Sequence, residues 1–482
     1  MEELKKENER LKQENQALQQ MLKEALERLA EAEQTIKQLK EQLGQNSRNS
    51  SWPSSRDKNQ PKPKSRRQKS KRKAGGQKGH KGHTLEMSSE PDMVEKHCPT
   101  QCEHCHQIFD EKAEVVEVKK RQVLDLPPLR FLTTEHQAQQ ICCGGCGELT
   151  MASFPKGVTH QVQYGQRVKQ LVIYLKSEQF IPYERSRQLL ADLFNLPIAT
   201  ATLQNFVTQG AKAVEPVVEK IKEAIIASEV AHADETGFYI KGKRAWLHTV
   251  STLTLTYFAA HAKRGSKATN DIGILPDFKG ILMHDFWQAY LKYKQIIHVL
   301  CHAHHLRDLT AIVENEAQEW AGWMIGFLLT TKQLVEDAKL AGADQLPYEQ
   351  VQRVDQLYEA ILSIGLIENP LPETPPPKVK RGRCKKTKAR NLLERFINHK
   401  PLMLQFIHDF KVPFDNNLAE RDIRMMKVQQ KVSGCFRSWD GAKQFCLLRS
   451  YISTIRKQSL NVWEALGSLF QGDVLIPDLS PV

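Results

Sequence analysis

In this 482-residue chain the residues most suited to chemistry gather in FDNNLAERDIRMMKVQQKVSGCFR, from Phe414 to Arg437. Asp415 or Asn416 can cap a helix start, and good helix formers follow with no Gly or Pro before Gly434. At helical spacing Asn416, Glu420, Arg424, Lys427 and Lys431 share one face, while Ala419, Ile423 and Met426 lie to its side and can pack inward. One acid among cations suits a site where Glu420 holds a metal ion and Arg424, Lys427, Lys431 and Arg437 draw a polyanion onto it. The same pattern alone also fits a solvated helix with exposed salt bridges, so partner carboxylates decide between the two.

Two such partners stand upstream. Asp234 ends the short apolar run of SEVAHADETGFY, and Asp285 ends that of GILMHDFWQAY. Between them AWLHTVST and LTLTYFAAHA alternate like two further strands. A structural aspartate normally caps a helix or turn; two at strand ends, with a glutamate on a basic helix, make the pattern of a divalent-metal triad. QIIHVLCHAHHLRDL then reads as an apolar strand followed by a helix. Cys301, His302, His304 and His305 are ligand types, but no second ligand pair lies nearby in sequence. Cys301 and His304 are therefore expected to pack and hydrogen-bond near the site.

A second metal-binding pattern precedes these elements. Cys102-x2-Cys105 and Cys143-x2-Cys146 are two knuckles with the spacing of a four-cysteine zinc ribbon, separated by a β-rich stretch from Val115 to Glu135. Cys98 and Cys142 are spare thiols close enough to substitute, with His104 and His106 as weaker candidates.

The remaining segments supply assembly and tethering. Residues 1–43 carry heptads with Leu22, Leu29, Ile36 and Leu43 at a and Leu4, Leu11, Leu18 and Leu39 at d, a coiled-coil pattern in which Asn8 and Asn15 at a favour a parallel dimer. Residues 44–92 form a Ser/Pro/Gly/Lys/Arg-rich tether too polar to fold, able to neutralise phosphates without reading sequence. Residues 93–150 hold the ribbon, and residues 151–227 are helical. There Tyr183 to Phe194, the turn NLPI and Thr200 to Gln209 allow a helix-turn-helix. Residues 228–470 form the strand-rich catalytic unit with a helical insertion at about 306–400, and 471–482 a tail. KRGRCKK, inside the Pro-rich break of that insertion, is at most a phosphate contact.

Composition narrows the class. Lys plus Arg number 69 against 56 acids, a net charge of +13 concentrated in runs, which favours nucleic acid over a membrane surface. MEELKKENER has no apolar leader core, and runs such as Trp323 to Leu329 are too short to span a bilayer. A cytoplasmic, nucleoid-associated protein is expected, and ten cysteines there argue against a disulfide framework.

In their order these motifs resemble the transposases of the insertion-sequence-66 family: zipper start, GGQKGHKGH linker, cysteine ribbon, DETGF, HDFWQAY, the Cys301 to His304 motif, and DNNLAERDIR followed by KVSGCFRSWDGA. The resemblance covers nearly the whole length. It implies a multidomain α/β protein with an RNase H-like catalytic core and a DDE triad of Asp234, Asp285 and Glu420. It departs at His302, where an aromatic residue is usual, and at the Cys142-Cys143 doublet, which blurs the ribbon register. The implied activity is metal-dependent DNA cleavage and strand transfer with two Mg2+ (or Mn2+) ions per site and one structural Zn2+. Implied partners are double-stranded DNA at element ends and target, a second copy through the coiled coil, and companion proteins of the element. The competing readings are a zinc-containing DNA-binding dimer without catalysis and a nuclease without strand transfer.

Overall fold

The computed structural model describes residues 2–46, 48–50, 85–110, 113–371 and 386–480. The basic core of the tether and the KRGRC part of the basic run lie outside them. No helix is long and apolar enough to cross a membrane among the described residues.

Helix α1 runs from Glu2 to Gly44, and its heptad residues Leu22, Leu29 and Ile36 are exposed. Strands β1 (Gln140–Cys142) and β2 (Leu149–Met151) form a short antiparallel hairpin. The expected strands between Val115 and Glu135 are absent from this structure. Those residues pair with no neighbour, and Val116 and Val123 are almost fully exposed, so β-propensity without a facing strand produces no ladder.

Helices α2 (Gln166–Ile173), α3 (Tyr183–Phe194) and α4 (Thr200–Ile226) follow, with a π turn from Tyr174 to Glu178 extending α2. Asn195 ends α3 in the left-handed conformation at φ 52°. Helix α4 continues far beyond Gln209 because Val214, Val217, Val218, Ile221 and Ile225 keep one stripe apolar; it lies buried against α12 and the sheet.

The sheet contains β3 (Val230–Ile240), β4 (Lys243–Ser251), β5 (Thr256–His261), β6 (Ile281–His284) and β7 (Ile297–Leu300), in the order β5-β4-β3-β6-β7. The first three form an antiparallel meander, and β6 and β7 run parallel to β3. Lys241 and Gly242, at φ 48° and 74°, make the two-residue turn between β3 and β4, which needs positive φ at both positions. Helix α5 (Ser266–Ile272) leads to β6, and Gly280 admits no side chain there because a Cβ would sit 2.4 Å from the Glu229 carbonyl oxygen.

After β7 come α6 (His302–Glu316), α7 (Glu319–Leu340), α8 (Tyr348–Glu368), α9 (Lys388–Asn398) and α10 (Lys400–His408). They enclose a core of their own around Trp320, Phe327, Tyr358 and Phe396, continuous with Met283 and Val299 of the sheet. Helices α11 (Asn417–Ser433), α12 (Trp439–Lys457) and α13 (Val462–Ser468) complete the chain. A third core joins Ile423 and Met426 of α11 to Phe238, Leu247 and Phe258 of the meander. The result is a mixed α/β architecture in which a helical part covers one end of a mixed sheet.

Candidate active site

Asp234 lies within β3, not at its end, because the meander carries the strand on to Ile240. Its setting is nonetheless a strand margin of another kind. The parallel ladder between β3 and β6 stops at His232 opposite Met283, and on that side, among the described residues, β3 meets no further backbone partner until Ile240 bridges to Phe436. Asp285 follows the last residue of β6. Both carboxylates therefore emerge where the two parallel strands part.

Asn416 joins α11 to this place. It occupies the residue before the helix, but its side chain makes no cap. Its Oδ1 pairs with His232 Nδ1 at 3.0 Å, and its Nδ2 donates to the Ala233 carbonyl at 2.8 Å. Its backbone N–H donates to the Cys301 sulfur at 3.1 Å. The capping contact falls to Asp415, which accepts from the Asn417 N–H at 3.1 Å. Buried Asn416 thus pins the start of α11 to β3 and to the end of β7, and Glu420 follows one turn later, with Ala419, Ile423 and Met426 buried as their spacing required.

The charges of Asp285 and Glu420 act on Asp234. Burial, and then the Glu235, Asp285 and Glu420 carboxylates, push the Asp234 carboxyl well above its ordinary range. Asp285 is also raised by burial and by Glu235, against an opposing hydrogen bond from the Trp287 N–H at 3.0 Å. Arg264 is committed to Glu235 at 2.7 Å and Arg307 to Glu420 at 3.2 Å. Among the described residues neither Asp234 nor Asp285 has an ion-pair partner. Asp234 and Asp285, buried without cationic partners, fit ligands of a divalent cation that Glu420 could join, although among the described residues the donor atoms of the three are not all gathered within 4.8 Å of one another.

Several contributors to this site escaped sequence reasoning. The Glu235 side chain is almost fully buried, accepts from Arg264 and from the Tyr290 hydroxyl, and holds the Arg264 guanidinium over the Trp287 ring, 3.8 Å from its centroid. The signal was present in DETGF and HDFWQAY, where a second acid, a Trp and a Tyr flank the aspartates. Arg307, one helical turn past His304, gave no signal of its own.

Of the four proposed phosphate contacts, Arg424, Lys431 and Arg437 are exposed, and Arg424 reaches Glu420 at 3.4 Å. Lys427 is exposed too, but its ammonium donates to the Gly237 carbonyl at 2.5 Å and is lowered by partial burial. His302, the residue that departs from the family pattern, is buried and takes an aromatic part. It packs on Phe414 at 4.6 Å with the rings tilted by 31° and meets Phe406 edge-on at 5.2 Å, while its Nε2 pairs with the Met403 carbonyl.

The two cysteine knuckles are built alike. The Cys102 and Cys143 N–H groups donate to the Gln107 and Glu148 carbonyls, each at 2.9 Å, and His106 and Gly147 hold the matching positive-φ position. Backbone N–H groups of the turns lower both Cys102 and Cys143. Cys142 lies in β1, with its thiol directed at the Gly147 carbonyl. Among the described residues the knuckle sulfurs are not gathered into one metal-sized group; the one that is gathered comprises Cys301, His304 and Glu420.

Comparison with known proteins agrees with this architecture. An uncharacterized protein, y4hP, of Sinorhizobium fredii is 22% identical over 383 residues, covering 70% of this chain and 65% of that protein, so the chain spans just under two thirds of its relative's length. A family of unknown function matches residues 1–86. The family described as Transposase IS66 family matches residues 161–444, which takes in β3, β6, the helical part and α11, and the chain belongs to that family.

Proposed function

We propose that the protein is a DDE-type DNA transposase that binds the ends of its insertion element and carries out metal-dependent cleavage and strand transfer. The observation that supports this reading is that the Asp285 and Glu420 charges, brought in by two other elements, both raise the Asp234 carboxyl. The five-stranded sheet, with its antiparallel meander and two added parallel strands, supports an RNase H-like core.

In this reading Asp234, Asp285 and Glu420 hold Mg2+ or Mn2+. The ions, when bound, activate water or a 3' hydroxyl and stabilise the leaving oxygen. Glu235 and Arg264, locked by Tyr290 and Trp287, keep Asp234 and Asp285 in place and leave them free of competing ion pairs. Arg424, Lys431 and Arg437 hold the phosphate backbone beside the site, without reading bases. Recognition of element ends belongs to the 93–150 ribbon with one Zn2+, the helical region 151–227 and the basic tether, and α1 pairs two copies.

The test is cleavage of labelled element ends at matched, saturating DNA occupancy. Glu420→Gln is close to isosteric and removes the charge, so cleavage should fall by orders of magnitude while DNA binding persists. Asp234→Asn and Asp285→Asn should behave alike, with little further loss on combination. Near-normal cleavage by Glu420→Gln rules the assignment out.

A further inference from the structure

Cys301 precedes the first residue of α6, and His304 lies three residues on, so both point from one helix end. The sulfur is buried and accepts from the Asn416 N–H at 3.1 Å; the Ala303 and His304 N–H groups favour its anionic form as well. This is an environment arranged for a thiolate, yet burial pushes the thiol up to about 12, so its proton stays unless a cation replaces it. His304 Nδ1 is buried without a hydrogen-bond partner and stands 3.8 Å from Glu420 Oε1. The thiol, imidazole and carboxylate donor atoms all lie within 4.8 Å of one another.

We propose that Cys301, His304 and Glu420 form a second metal site, for a borderline transition ion of the zinc or cobalt(II) kind, whose occupation takes Glu420 away from Asp234 and Asp285. The inference rests on Glu420 being a ligand of the carboxylate site. Donors around a tetrahedral zinc stand about 3.3–3.8 Å apart, so closure by roughly an ångström completes three ligands and leaves a fourth position open. A sulfur, nitrogen and oxygen set selects zinc-type ions, whereas the all-oxygen carboxylate set suits Mg2+. Arg307 and Arg424 must release Glu420 for either ion. Zinc-type ions therefore act as competitors of Mg2+ through a shared glutamate.

The test uses the full-length chain, freed of metal with a chelator and titrated anaerobically with Co2+, followed by thiolate-to-cobalt absorption. The ribbon cysteines also bind Co2+, so the readout is the difference between variants. Wild type should bind about one equivalent more than Cys301→Ser, and His304→Ala should weaken that equivalent about tenfold or more. Equal stoichiometry and identical spectra in wild type and folded Cys301→Ser overturn the proposal. If Cys301→Ser does not fold, unchanged cobalt affinity in His304→Ala, a half-buried position, overturns it equally. Should Glu420→Gln cleave DNA normally while wild type keeps its Cys301-dependent equivalent, the catalytic reading fails and the competition with Mg2+ is overturned with it, while binding of the ion at Cys301 and His304 stands. Loss of cleavage in Glu420→Gln, with no Cys301-dependent equivalent in wild type, overturns the metal site and leaves the catalytic reading intact.

Discussion

Asp234 and Asp285 each stand two residues beyond the last rung of the same parallel ladder, His232 opposite Met283. Equal offset from one rung brings both carboxylates out at the point where β3 and β6 part, although 50 residues of sequence separate them. Ladder bonds no longer link the strands there.

Asp234 makes the metal-free protein sensitive to pH. A carboxyl held above its ordinary value binds its proton more tightly in the folded state, so its contribution is favourable below the ordinary carboxylate pKa and is lost as pH rises through the folded value. Metal-free wild type should therefore lose thermal stability from about pH 4 upward. Asp234→Asn should remove that loss and melt about 2 °C or more above wild type at pH 7, with Mg2+ stabilising wild type alone. Calorimetry with and without Mg2+ measures both; an Asp234→Asn protein that melts below wild type would contradict it.

Asn416→Ala should unpin α11. The change leaves His232 Nδ1 and the Ala233 carbonyl without their buried partner, at about 1–3 kcal/mol for each group left unsatisfied. Urea denaturation reads the loss, and cleavage should drop with it because Glu420 is one turn away. Unaltered stability would mean that the helix is held elsewhere.

Asp422 is the structural acid of the same helix. Its Oδ2 accepts from Ser251 at 2.7 Å and Thr256 at 3.0 Å and pairs with Lys457 at 2.8 Å, which commits that oxygen to β4, β5 and α12. Asp422→Asn should destabilise by about 1–3 kcal/mol, because half-buried Lys457 keeps the Thr252 and Leu255 carbonyls but loses its counter-charge. Its folded fraction should still bind Mn2+ as wild type does, measured by paramagnetic resonance, in contrast to Glu420→Gln.

Leu22→Pro tests assembly. Exposed heptad positions on α1 have a partner only if another helix supplies it, and proline in the middle breaks the helix at about 3 kcal/mol or more. Light scattering should show the mass falling from that of a dimer to that of a single chain. The same mass in both proteins argues for an assembly held by other surfaces.

For the ribbon, metal analysis of purified wild type should find zinc, and Cys102→Ser with Cys143→Ser should remove about one equivalent per chain. The matched turns that lower Cys102 and Cys143 favour these thiols over Cys98 and Cys142. Retention of that equivalent by the double variant transfers the role to the spare thiols.

The amino-acid sequence alone determined those features that depend on near neighbours in the chain. The ends of α11, its buried stripe of Ala419, Ile423 and Met426, the strand identities around Asp234 and Asp285 and the twin cysteine turns all follow from spacing, capping and turn chemistry within a few residues. Val115 to Glu135 is the local exception, since a strand exists only when another strand meets it. What the tertiary structure decided is which of several similar residues does which work. Glu420 and Asp422 are two positions apart on one helix, yet one meets Arg307 and His304 from α6 while the other is taken by Lys457 from α12 and the hydroxyls of β4 and β5. Asn416, read from the sequence as a possible helix cap, became the buried pin, and Cys301 with His304 gained Glu420 from more than a hundred residues away. Such choices depend on which helices pack against which strands, and the periodicity of one helix records only that a face is buried, without naming what covers it.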